Sequence, residues 1–172
     1  MDGFNVNRWM DAYIDSQSGM TDREKKQAKN FRSPRDFVVV IPRLDERQDG
    51  NLRSLYVRLH AMSKTIKVPP VSEDEAEAAA AFYEYLLYKS EIEKKIARAT
   101  RVEAKAKRVG WIKTVSDLVK TKSESKGFRY LVDANRLDVS LEYFVKNNDR
   151  LFDAEAVNIA LEKLNKYGKY SS

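Results

Sequence analysis

The chain has 172 residues, enough for one ordinary core or two small modules, and 42% apolar residues indicate a folded protein. It contains no cysteine, which excludes a disulfide framework, thiolate metal sites and cysteine nucleophiles. The net charge of +6 favours an anionic partner over a cationic one.

The sequence of residues 1–68 predicts a small N-terminal region with short helices and a strand or hairpin. Thr21 and Glu24 have the spacing of a capping box, which marks the start of a helix. The run from Phe37 to Ile41 is mostly β-branched and is followed by a proline, so it predicts a strand. Residues 54–60 alternate as a strand would, although a helix through their leucines fits nearly as well.

A boundary is predicted at Pro69 and Pro70, because two prolines cannot continue a helix or a central strand. Ser72 is a good N-cap for a helix that follows. Glu75 completes a capping box, and Val71 and Ala76 have the spacing of a hydrophobic staple.

The region 72–172 predicts a helical module. No glycine or proline interrupts the chain from Glu73 to Val109, which predicts one long helix of about 35 residues, either continuous or kinked once. Gly110 should end or kink it, and shorter helices are expected after Trp111, from about Phe128 to Lys146, and after Asp153. The predicted fold is therefore mainly α, with a long-helix bundle or helical hairpin module over about 72–168 and a small α+β region before it.

The positive charge is concentrated between Lys89 and Arg129, where thirteen Lys and Arg stand against five Asp and Glu. On one continuous helix, five of these cations would fall within an arc of roughly 80°. Such a row can meet several phosphates of a nucleic acid. The alternative is that the cations only solvate the helix surface. The candidate nucleic-acid-binding residues are Lys94, Arg98, Arg101, Lys105, Arg108, Lys113, Lys120, Lys122, Lys126 and Arg129.

An apolar face follows the same helical rhythm on another side of the predicted long helix. It exceeds what the packing of two helices needs, so we expect a homo-oligomer with helix–helix contacts between copies. The candidate self-association residues are Tyr85, Ile92, Ile96 and Ala99.

Residue patterns typical of catalysis are scarce. His60 is the sole histidine, no clustered partner accompanies it, and we expect it at the surface. Glycine-rich phosphate loops are absent. The spacing Glu-x-Lys occurs in the basic segment at Glu93, Glu103 and Glu124, but it arises by chance in a chain with 34% charged residues. We therefore expect a non-enzymatic protein without a metal or other cofactor.

The sequence predicts no membrane association. No apolar run approaches the roughly eighteen residues that span a bilayer, and the first residues lack the pattern of a signal peptide. A cytoplasmic location fits best, or a virion if the protein is viral.

Over about 72–164, the order of a long helix, a basic segment and a second helical arm is similar to that of small helical accessory proteins of tailed phages. No diagnostic motif accompanies this layout, and it assigns no family. The first hypothesis is an accessory protein that binds the phosphate backbone of DNA or RNA. The second is a structural or assembly protein, of viral or phage origin or not, that self-associates through its long helix. In that case its cations face solvent or an acidic protein partner.

Overall fold

The computed structural model describes residues 3–44, 50–94, 98–121 and 124–167, with the backbone alone at Gly50 and Asn51. Within these residues the fold is mainly α-helical and contains no strand. Ten α-helices follow one another in this part of the chain: α1 Val6–Asp15, α2 Asp22–Ala28, α3 Pro34–Val40, α4 Gly50–Lys64, α5 Glu73–Glu93, α6 Thr100–Val109, α7 Trp111–Val119, α8 Lys126–Asp133, α9 Leu141–Asn147 and α10 Ala154–Asn165. Short 3₁₀ helices lie at Ile41–Arg43, Thr65–Lys67, Leu137–Val139 and Asp149–Leu151.

The strand predicted from Phe37 to Ile41 is wrong, because α3 covers most of this run. Asp36 caps the start of α3 by accepting hydrogen bonds from two backbone N–H groups, each at 3.1 Å. The first and last residues of the run are buried, while Val38 and Val39 between them are exposed. The two buried positions are four residues apart, which is the spacing of one face of a helix. The capped start and the burial of this face outweigh the strand preference of the valines.

The helical interpretation of residues 54–60 is confirmed, and the strand interpretation is wrong, since α4 contains the whole segment. Leu55, Tyr56 and Leu59 are buried together on it. The capping box of Thr21 and Glu24 is also present at the start of α2. The described part of the N-terminal region is thus made of helices, and the predicted α+β unit is not found there.

The single helix predicted from Glu73 to Val109 is also wrong. Helix α5 ends at Glu93, and Lys94 adopts the left-handed conformation with a φ of 54°. The Tyr83 hydroxyl donates a hydrogen bond to the Glu103 carboxylate on α6, at 2.7 Å. In one continuous helix these two residues would lie about 30 Å apart along the axis, so the bond requires the chain to turn back.

The predicted helix from about Phe128 to Lys146 is likewise divided in two. Helix α8 ends at Asp133, and Asn135 takes a left-handed φ of 58°. The Ser140 hydroxyl then starts α9 by accepting a hydrogen bond from a backbone N–H. The break at Gly110 and the capping of the last helix by Asp153 are confirmed.

Helix α5 lies at the centre of the fold and packs against α4, α7, α8 and α9. Four alanines of its first half are fully buried, and their small side chains allow neighbouring helices to approach closely: Ala76, Ala78, Ala79 and Ala80. Pro69 and Pro70 lie in the connection before α5, and the core contains residues from both sides of this connection. The division of the chain into two domains there stays a prediction.

The start of α7 is capped by a carboxylate from α5. Ser72 accepts a hydrogen bond from the backbone N–H of Glu75, as an N-cap should. The Glu75 carboxylate does not complete the predicted capping box. It accepts hydrogen bonds from the backbone N–H groups of Trp111 and Ile112 instead, the latter at 3.1 Å. The predicted staple is absent, since Val71 is 85% exposed.

Trp111 fixes the same junction from inside the core. Its indole N–H donates to the backbone oxygen of Val68 at 3.1 Å, and its ring lies 5.7 Å from that of Phe82 and 5.4 Å from that of Tyr83. Gly110, just before it, has a φ of +89°, which favours glycine. The glycine and the indole together hold α7 against α5.

We predict that Glu75→Ala lowers the free energy of unfolding by about 1–2 kcal/mol, because it leaves N–H groups of α7 without their cap. Urea unfolding measures this change. Glu73→Ala is the matched control, since it removes the same charge from an exposed position in the same helical turn. Equal losses in the two variants would contradict the capping role.

His60 is not at the surface, as the sequence suggested, but is 3% exposed on α4. Its ring lies 6.2 Å from that of Phe37, and its Nε2 has no hydrogen-bond partner among the described residues. Burial and the nearby Lys64 and Lys67 lower the pKa of His60 from 6.5 to about 4. The folded protein therefore holds this imidazole neutral at pH values at which the unfolded chain protonates it.

Acidification should consequently destabilise the fold through His60. Below about pH 6.5 the unfolded state binds a proton that the folded state takes up only near pH 4, so stability is lost as the pH falls through this window. Between pH 7 and pH 4.5 the loss from this group is roughly 2–3 kcal/mol. His60→Leu should remove that part of the pH dependence in urea unfolding, and an unchanged dependence would refute the assignment.

Candidate nucleic-acid interface

Helix α6 presents the basic segment with one face packed and the other in solvent. Ala106 is buried and Val102 is half-buried, so these apolar residues turn this side of α6 inward. Arg101 and Arg108 are exposed, and neither pairs with a carboxylate of the described residues. They are seven residues apart, which places them about 10 Å from each other along the helix axis.

Four of the candidate cations are paired with carboxylates of the same chain. Lys105 and Lys113 both contact Asp117 of α7, at 2.7 Å and 2.9 Å. Hydrogen bonds from both lysines lower the pKa of Asp117, and the bond from Lys105 has a larger effect than the bond from Lys113. Two further pairs join Lys120 to Asp153 at 2.6 Å and Arg129 to Glu124 at 4.0 Å. These four cations are therefore partly neutralised before any ligand arrives.

The other candidate cations are dispersed. Lys94 and Arg98 are exposed but lie outside α6, so the continuous row predicted for one long helix does not form. Lys126 is exposed in the first turn of α8. Lys122 lies outside the described residues. Among the candidate cations, Arg98, Arg101 and Arg108 thus lie in or next to α6 without a carboxylate partner among the described residues. The other candidates are paired or lie elsewhere.

A groove beside α6 adds two cations that the predicted site did not include. It has a volume of about 310 Å³, with Lys67 and Val68 on one side and Thr100, Glu103 and Lys107 of α6 on the other. Lys67 and Lys107 are both exposed. The spacing Lys64-x-x-Lys67 before the prolines was a visible signal, but only tertiary packing brings it to α6.

The candidate self-association residues mostly face their own chain. The hydroxyl of Tyr85 lies directly over Gly127 of α8, and Ala99 is 9% exposed. Ile92 is 37% exposed at the end of α5. Ile96 lies outside the described residues. Self-association stays a prediction, and Ile92 is the described candidate residue with the most accessible apolar side chain.

The described residues contain no group of three or more His, Asp or Glu side chains that could hold a metal ion. None of their helices combines the length and the apolar character that crossing a bilayer requires. Comparison with protein-family models, with curated proteins and with solved structures finds no match.

We predict that Gly127→Ala destabilises the fold by about 1–3 kcal/mol, although alanine is normally the better helix former. An added Cβ would overlap the Tyr85 hydroxyl oxygen and lie 2.8 Å from the Tyr85 Cζ. Tyr85→Phe removes that hydroxyl, so Gly127→Ala should destabilise the Tyr85→Phe variant less than it destabilises the parent protein. Thermal unfolding of the four proteins measures the coupling, and additive costs would show that Tyr85 does not pack against this helix.

Proposed function

We propose that this protein binds the phosphate backbone of nucleic acid through the surface formed by Lys67, Arg98, Arg101, Lys107 and Arg108, here called the α6 basic surface. The observation that carries the proposal is the pair of exposed arginines on α6, which lack an acidic partner among the described residues. A cation that already pairs with a carboxylate of the chain gains less binding free energy from a phosphate than an unpaired cation does.

The dimensions of the α6 basic surface suit a nucleic-acid backbone. DNA carries one phosphate per 3.4 Å of each strand, so the spacing of about 10 Å between Arg101 and Arg108 matches a few consecutive phosphates. Lys67 and Lys107 widen the surface across the groove next to them. A ligand that lies along α6 could therefore contact cations from two elements of the fold.

Sequence specificity is expected to be low. Contacts from Arg and Lys to phosphate position a strand without discriminating between bases. Between the arginines, Ala104 is exposed and offers no hydrogen-bonding side chain to a base edge, and Lys105 is bound to Asp117. An accessory protein that coats DNA or RNA without selecting a sequence fits this surface best.

Self-assembly is the second candidate function, and three exposed apolar side chains favour it. Val38 and Val39 are neighbours on α3 and are 58% and 51% exposed, and Ile92 is 37% exposed on α5. Apolar side chains in solvent can contribute to a contact between copies. In this proposal the α6 basic surface would only solvate the protein or face an acidic protein partner.

We predict that the double variant Arg101→Glu and Arg108→Glu weakens binding to duplexes of unrelated sequence about equally, by about tenfold or more near 0.1 M salt. The slope of log affinity against log salt should flatten by about 0.9 per lost contact on duplex DNA and about 0.7 on single strands. Fluorescence anisotropy over a salt series measures both quantities.

Arg23→Glu with Lys26→Glu is the matched control, because it reverses the same number of charges at exposed positions of α2. An equal loss in this control would mean that net charge, not the α6 basic surface, governs binding. No binding of the parent protein at about 50 mM salt would refute the proposed function. A mass that rises with protein concentration in that case would favour self-assembly.

A further inference from the structure

A cavity of about 240 Å³ lies between α5, α6, α7, α8 and α9. Its apolar wall includes Phe82 and Phe128, which are 3% and 2% exposed, and Leu118 and Val102 on other helices. An apolar cavity of about 150 Å³ already binds benzene in another protein, so this volume has room for a one- or two-ring aromatic group. It is too small for a large ligand.

One buried polar side chain faces this apolar wall. Glu142 of α9 lines the cavity and is 7% exposed. Its Oε1 lies 3.6 Å from Nζ of Lys163, which also donates to the backbone oxygen of Val119 at 2.8 Å. With this lysine contact and a hydrogen bond from its own backbone N–H, the carboxylate keeps further capacity to accept hydrogen bonds. A ligand that enters the cavity can therefore donate an N–H to Glu142.

The accessible edge of the cavity is cationic. Lys89 of α5 is half-buried and Arg98 is exposed, and both line the cavity. Neither forms an ion pair with a carboxylate of the described residues. An anionic group attached to the aromatic part of a ligand would find two cations at this edge.

We propose that this cavity binds one nucleotide, with the base against the aromatic wall and the phosphate at Lys89 and Arg98. Stacking on aromatic side chains is the general way in which proteins hold an unpaired base. An amino group on the base can donate to Glu142, as amino groups of cytosine donate to Glu in other complexes. Cytosine, adenine and guanine should therefore bind more tightly than uracil or thymine.

The nucleotide can come from two sources with the same chemistry. It is either a free mononucleotide or a base turned out of a strand that lies on the α6 basic surface. The second source rests on the proposed function, and Arg98 would then serve both the surface and the cavity. Two binding measurements separate the sources.

The first measurement compares a single strand of about ten nucleotides with an abasic strand of the same length and charge. The strand with bases should bind about tenfold more tightly, because one stacked base is held in the cavity. The second measurement titrates cytidine and uridine monophosphate by calorimetry. Cytidine monophosphate should bind more tightly if free nucleotides enter.

Leu118→Trp and Val102→Phe fill the cavity from α7 and α6 and should abolish the preference for the strand with bases. Val71→Trp is the matched control, since Val71 is 85% exposed in the connection before α5, and it should keep the preference. Circular dichroism and thermal unfolding show which variants are folded. Two filling variants on different helices keep the test decisive if one of them fails to fold.

Equal affinity for the two strands, without binding of either mononucleotide, would overturn the cavity proposal and leave phosphate-backbone binding intact. A preference for bases that survives in a folded filling variant would overturn it as well. Binding of cytidine monophosphate without binding of any strand would support the cavity and refute the proposed function.

Discussion

The carboxylate of Glu75 at the start of α7 is the contact on which the rest of the structure depends. It satisfies the N–H groups of Trp111 and Ile112 from a helix that begins almost forty residues earlier in the chain. Helix α7 is thereby fixed against α5, with the indole of Trp111 buried between aromatic rings. Since only Gly110 separates α6 from α7, the direction of α6 follows from the same contact.

This arrangement sorts the cations of the basic segment into paired and free ones. When α7 packs back, Asp117 comes within reach of both Lys105 and Lys113. Arg101 and Arg108 lie on the part of α6 that faces solvent and have no such partner among the described residues. A charge count over the sequence cannot make this distinction, because the carboxylates that neutralise a lysine depend on how the helices pack.

The proposed surface and the proposed cavity share one element of the fold. Helix α6 directs arginines outward, while Val102 on its inner side lines the cavity. Arg98, just before α6, lines the edge of the same cavity. A strand held by its phosphates on the outside of α6 would therefore pass close to an aromatic cavity of the size of a single base.

The sequence by itself determined the helix starts whose caps are local: the capping box of Thr21 and Glu24, the N-cap Ser72 and the N-cap Asp153. These bonds join residues three apart, so a short pattern contains both partners. Only the tertiary structure decided the turn after α5 and the final partner of Glu75. The hydrogen bonds of Tyr83 with Glu103 and of Glu75 with Trp111 span 20 and 36 residues, and no local pattern encodes contacts at such separation. The same reason explains why the basic segment could be located from the sequence, while its free cations could be identified only in the fold.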